Sequence, residues 1–172
     1  MFYIAAEGHL PSMTIEFSKS DNSLLAPKRI GAILFACNIN AVRSAMAEAM
    51  IKVTYPGKIF ADSCGVSPGN PDGFAIAVME EIGINMNTHQ PKSFEDLDSA
   101  FYDVIISFSP EAHEAAVALT QSMDCETLYW PVDNLANLTG SRDERLRAYR
   151  HVRDIIKGNL EHYLGKPIAV KT

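Results

Sequence analysis

Cysteine is scarce in this chain: three in 172 residues, Cys37, Cys64 and Cys125, with no Cys-x-x-Cys spacing. An odd count without paired spacing points away from a disulfide framework and from a zinc site, and toward a reducing, cytoplasmic setting. Positive charge is also in deficit. Fifteen Lys and Arg against 21 Asp and Glu leave a formal charge of -6. That balance works against non-specific attraction to nucleic acid or anionic lipid, so any anion site must be local. No apolar run approaches the roughly 20 residues needed to span a bilayer, and neither nucleic acid nor a membrane is expected as a partner.

The first 28 residues lack the basic start and long apolar stretch of a signal peptide. They read as an N-terminal extension, 1–28, either partly disordered or adding a strand through residues 13–17. The remaining residues, 29–172, are enough to close one hydrophobic core without disulfides or metal.

From Arg29 a short apolar run, Arg-Ile-Gly-Ala-Ile-Leu-Phe-Ala, suits a strand buried on both faces and ending at Ala36. Residues 44–54 are strong helix formers, with Met46, Met50 and Val53 sharing one face. Further strands are expected over 58–63, 102–108 and 126–130. Asp72 is placed to cap a second helix with Phe74, Ala77, Val78 and Ile82 inward and Gly83 at its end. Ser109 and Pro110 open a third helix reaching about Met123, and Ser141 with Glu144 has capping-box spacing at the start of a long helix to Leu164. The charges between Arg142 and Arg153 read as its solvated face. Alternating strands and helices imply an α/β fold: an open parallel sheet of about four strands flanked by helices, with ligands beyond the strands' carboxyl ends.

At one such end lies Cys37-Asn38-Ile39-Asn40-Ala41-Val42-Arg43-Ser44. The amides of Asn38, Ile39, Asn40, Ala41, Val42 and Arg43 can turn around a tetrahedral anion, and the helix that follows adds a partial positive charge. The Arg43 guanidinium offers paired donors for two anion oxygens. The same field favours the thiolate of Cys37, and the Ser44 hydroxyl can hydrogen-bond that sulfur. The bland alternative makes Cys37 a small buried hydrophobe and Arg43 a solvated residue.

Cys-x5-Arg-Ser after a first strand, followed by Met46-Ala47-Glu48-Ala49, resembles the low-molecular-weight protein tyrosine phosphatases and their arsenate reductase relatives. Ser63-Cys64-Gly65, Gly83-Ile84-Asn85 with His89 beyond, and Trp130-Pro131 are similar to further family motifs. The resemblance covers most of the chain from Arg29. It implies a phosphomonoesterase acting on phosphotyrosine or similar aryl phosphates through a phosphocysteine, with Cys37, Arg43 and Ser44 catalytic and no metal or organic cofactor. The partner is then a phosphorylated protein or a small aryl phosphate; no oligomeric state follows. The implied alternatives are a thiol-dependent arsenate reductase and a non-catalytic phosphate or phosphoprotein binder.

The chain departs from the family in places. Ile39 stands where the family usually has glycine, and a β-branched residue with positive φ would be strained, whereas Asn40 tolerates such a backbone. Ala45 replaces a usual proline. Asn134 stands where the family carries its acid in an Asp-Pro pair, and an amide cannot donate that proton. Asp133, one residue earlier, is therefore the candidate acid; otherwise it is an ordinary loop carboxylate. Ala136 and Asn137 replace the aromatics that often follow the acid. Cys64 is expected to be packed, since Ser107, Phe108 and Ser109 occupy the place of a resolving cysteine. His89 is expected to order its loop, and His113 to lie on the surface.

Overall fold

The computed structural model describes residues 29–97 and 101–165. The extension 1–28 and its possible strand at 13–17 lie outside them. Four parallel strands, β1 (Ala32–Cys37), β2 (Phe60–Gly65), β3 (Val104–Ser107) and β4 (Glu126–Tyr129), form one sheet in the order β2-β1-β3-β4. Four helices connect and cover them: α1 (Arg43–Thr54), α2 (Gly73–Glu80), α3 (Pro110–Thr120) and α4 (Arg142–Leu164). This is the expected open α/β sheet. Among the described residues no helix is long and apolar enough to cross a membrane.

The sheet is covered on both faces, which explains the unbroken apolar run of β1. Ile33, Phe35 and Cys37 point to one face, under Met46, Met50 and Ile51 of α1 and Tyr149, Val152 and Ile156 of α4. Leu34 and Ala36 point to the other, with Cys64, Ile105, Ala112 and Ala116. Alternation along a strand makes this division, and it separates Cys37 from Cys64.

Several boundaries and faces differ from the sequence expectation. β1 runs on to Cys37, β2 starts at Phe60 and takes in Cys64 and Gly65, β3 is four residues long, and α3 stops at Thr120. Val53 is 57% exposed rather than buried beside Met46 and Met50. In α2 the inward residues are Ala75, Val78 and Met79, and Ile82 lies outside the helix and exposed. The helix ends at Glu80, before Ile82, and the chain turns back through Gly83 at φ 77° so that Ile84 and Met86 fill the core. Arg153, expected on a solvated face, is buried and donates to the Val78 carbonyl at 2.8 Å and to Glu81 at 3.2 Å.

The caps follow the sequence. The Asp72 carboxylate accepts from the N–H groups of Phe74 and Ala75, Ser109 accepts from Ala112 N, and Ser141 with Glu144 forms a complete capping box. A single 3-10 turn at Phe94–Asp96, also boxed by Ser93, was not foreseen.

Candidate functional site

Cys37 is the last residue of β1 and Arg43 the first of α1, so five residues reverse the chain at the carboxyl end of the sheet. The carbonyls of Cys37, Asn38 and Ile39 accept from the N–H groups of Val66, Ser67 and Gly69 at 3.0, 3.0 and 2.8 Å. The Asn40 carbonyl lies 2.8 Å from His89 Nε2. In a trans peptide the N–H points opposite to the C=O, so tying four carbonyls outward turns the amides of Asn38, Ile39, Asn40 and Ala41 inward. None of the N–H groups from Asn38 to Arg43 has a backbone acceptor among the described residues. Helix α1 also begins without a side-chain cap, so its first-turn donors face the same space. The result is a concave row of donors above Cys37, suited to a tetrahedral anion.

The turn is made by Asn40, at φ 54° the one non-glycine residue with positive φ among those described. Ile39 does not take that conformation, so its β-branch is unstrained. The Ala41 and Val42 side chains are packed in the core, and Gly65 lets the loop after β2 approach. A methyl group on Gly65 would lie 2.5 Å from the Ser67 carbonyl and 2.8 Å from Asn40 N.

Cys37 is buried, and its Sγ lies 2.9 Å from Ser44 Oγ. That hydroxyl accepts from Asn40 Nδ2 at 3.0 Å, which leaves its own proton for the sulfur or for the Cys64 carbonyl at 3.3 Å. The Asn40 amide also donates to Ser63 Oγ at 2.8 Å and accepts from Lys92 N at 2.9 Å. Ser63 in turn donates to the buried Glu48 carboxylate, which is paired with Lys52 and lies 3.7 Å from His89 Nδ1. Glu48 and Ser63 stand in the sequence motifs without a role assigned to them, and Lys92 in none. The one available signal was Glu48, a lone carboxylate in an otherwise apolar helical stretch.

Arg43 is 4% exposed. Its Nη1 donates to the carbonyls of Phe108 and Val132, both at 3.0 Å, and its Nη2 to Asn38 Oδ1 at 2.6 Å. Nε–H and the second Nη2 proton have no partner among the described residues, which leaves two donors for two anion oxygens. Burial pulls the guanidinium below its ordinary pKa, against the opposing influence of Cys37, Glu111, Tyr129 and Asp133.

Asp133 is exposed in the β4–α4 loop and lines a cleft of about 340 Å³ with Asn38, Arg43, Glu111 and Tyr129. Asn134 is used locally: its Oδ1 accepts from Ala136 N at 3.2 Å. Glu111, also unforeseen, accepts from Asn38 Nδ2 at 3.0 Å. Its carboxyl is held below the usual range, chiefly by its own backbone N–H and then by Asn38. Asn38 thus bridges Arg43 and Glu111. His113 is half-buried and stacked on Tyr129 at 5.3 Å, not a surface residue. Cys64 is buried on the far face of the sheet, and burial pushes its thiol well up. Among the described residues no group of three or more His, Cys, Asp or Glu side chains is arranged to hold a metal ion.

Residues 32–171 match the model of the low molecular weight phosphotyrosine protein phosphatases. The glutaredoxin arsenate reductase of Synechocystis sp. is 29% identical over 136 residues, 78% of this chain and 96% of that protein. A solved arsenate reductase in its phosphate binding state is 28% identical with a TM-score of 0.61, covering 81% of this chain and 100% of that one. The tyrosine phosphatase Wzb of Escherichia coli K30, solved with sulphate, shares the fold at 17% identity and a TM-score of 0.63, over 78% of this chain and 96% of its own. With its family model matched over nearly all the described residues, the chain belongs to the low molecular weight phosphotyrosine protein phosphatase family.

Proposed function

We propose that the protein is a phosphomonoesterase acting on phosphotyrosine or similar aryl phosphates through a phosphocysteine. The observation that carries this reading is the row of inward amides above Cys37 Sγ, with Arg43 at its side and Asp133 across the same cleft. The Cys37 thiolate attacks phosphorus and forms the S–P bond while the P–O bond to the aryl group breaks. The amides and Arg43 hold the equatorial oxygens as charge builds on them. Asp133 gives its proton to the departing phenoxide, then takes one from the water that hydrolyses the phosphocysteine, releasing phosphate and the thiolate. Ser44 steadies the sulfur as leaving group through the 2.9 Å contact.

The test is hydrolysis of p-nitrophenyl phosphate and of a phosphotyrosyl peptide by wild type and Cys37→Ser. Turnover lost in the variant supports the reading, and turnover that survives sinks it.

A second reading, arsenate reduction, is favoured by three curated relatives named as arsenate reductases at 27–29% identity. Arsenate fits the same cradle. Cys37 would form an S–As bond with loss of water, and external thiols would supply both electrons, leaving as a disulfide with arsenite released. An internal Cys37–Cys64 disulfide is disfavoured, because the two side chains point to opposite faces of the sheet. Arsenite release with glutathione or glutaredoxin, without aryl phosphate turnover, would select this second reading.

A further inference from the structure

The cleft that holds Asn38, Arg43 and Asp133 continues past Tyr129 and Pro131. Both residues also line a neighbouring pocket of about 260 Å³, completed by Trp130 and by Asn159, His162 and Tyr163 near the end of α4. Its walls are aromatic. Trp130 meets Tyr163 edge to face at 5.5 Å, and Tyr129 is 41% exposed. Trp130 also packs at 6.5 Å on Phe108, whose carbonyl holds Arg43. The phosphate end and the aromatic end are therefore parts of one rigid framework.

Neither sulfur attack nor proton transfer uses this second pocket. Aromatic walls with polar tips suit an apolar side chain whose backbone needs hydrogen bonds nearby, which Asn159 and His162 can give. Side chains two apart on an extended chain lie about 7 Å from one another, so an extended peptide with its phosphorylated residue in the first cleft brings a near neighbour toward the pocket that shares Tyr129 and Pro131 with it. We infer that the Trp130–Tyr163 pocket is a subsite for an aromatic or large apolar side chain flanking the phosphorylated residue of a polypeptide substrate. This rests on the phosphomonoesterase reading.

Trp130 is the chain's one tryptophan, so its fluorescence reports occupancy of the pocket. Full-length Cys37→Ser protein is titrated with phosphotyrosyl peptides carrying Phe one, two or three residues to either side, and with the all-Ala peptide. At least one Phe peptide should bind about tenfold tighter than the all-Ala one, the size expected for covering one aromatic ring in part. Adding Tyr163→Ser should remove that gain and leave inorganic phosphate binding unchanged. His162→Trp, at an exposed position and read by calorimetry because it adds a second tryptophan, should also remove it by filling the pocket. No gain at any Phe position, or a gain that persists in the folded variants, overturns the subsite. A gain that behaves as expected while wild type hydrolyses none of the peptides would keep the subsite and overturn the phosphomonoesterase reading.

Discussion

Arg43 holds two main-chain carbonyls with one nitrogen and Asn38 with another, and keeps its remaining donors for a ligand. A lysine has neither the planar fork nor the donors to do both. Arg43→Lys should therefore lower kcat/KM for aryl phosphate by about 10²–10³, and weaken phosphate binding measured by calorimetry. Glu111 faces the same cleft, ionised and tied to Asn38. Glu111→Gln keeps an acceptor for Asn38 and removes a negative charge, so phosphate should bind about two- to fivefold tighter, whereas Glu111→Ala, which frees Asn38, should not gain. Asp133→Ala should lower kcat by about 10², and more for an alkyl phosphate than for p-nitrophenyl phosphate, because the poorer leaving group needs the proton more. Equal turnover by Asp133→Ala would remove that residue from the mechanism. Cys37, Arg43 and Ser44 were legible because their offsets between a strand and a helix fix where they point. The roles of Glu48, Ser63 and Glu111 were not, because Glu111 and Ser63 reach the loop only through tertiary contacts with Asn38 and Asn40, and Glu48 only through Ser63 and His89.

Asp72 illustrates how an element end also ties elements together. One carboxylate oxygen caps α2 and the other accepts from the Tyr149 hydroxyl of α4 at 2.8 Å. Asp72→Ala loses the cap, worth about 0.5–2 kcal/mol, and should lower the thermal midpoint accordingly. Burial, and then the bond to Asp72, hold the Tyr149 phenol above its ordinary pKa. A raised folded-state value means that this contribution is intact below the unfolded tyrosine value of about 10 and is lost as pH climbs beyond it. The alkaline fall in thermal midpoint should accordingly be smaller in Tyr149→Phe than in wild type. The helices and strands themselves were legible from period and caps. The misplaced faces, Val53 and Ile82, come from helix ends: α1 presents Val53 past the edge of the core, and α2 stops before Ile82, so neither position keeps the periodic face.

Across the whole molecule the site is assembled by four connections at one end of the sheet. The β1–α1 loop supplies the amides, the loop after β2 fixes their carbonyls, the β3–α3 connection supplies Phe108 O with Glu111 in the first turn of α3, and the β4–α4 loop supplies Val132 O and Asp133. Gly65 sits where the first two meet. Gly65→Ala must displace Asn40 or Ser67, and should reduce phosphate affinity more than it reduces stability, seen by calorimetry against thermal melting. The parallel sheet and the position of the loop followed from alternating strands and helices, but the outward carbonyls depend on contacts with residues 66–69 and 89 that no local pattern shows. The most direct measurement is rapid-quench mass spectrometry of the protein mixed with p-nitrophenyl phosphate. A transient phosphoryl adduct on the peptide containing Cys37, absent from Cys37→Ser along with turnover, is the predicted result; turnover without any adduct, or turnover retained by Cys37→Ser, would contradict a sulfur nucleophile at the base of the loop.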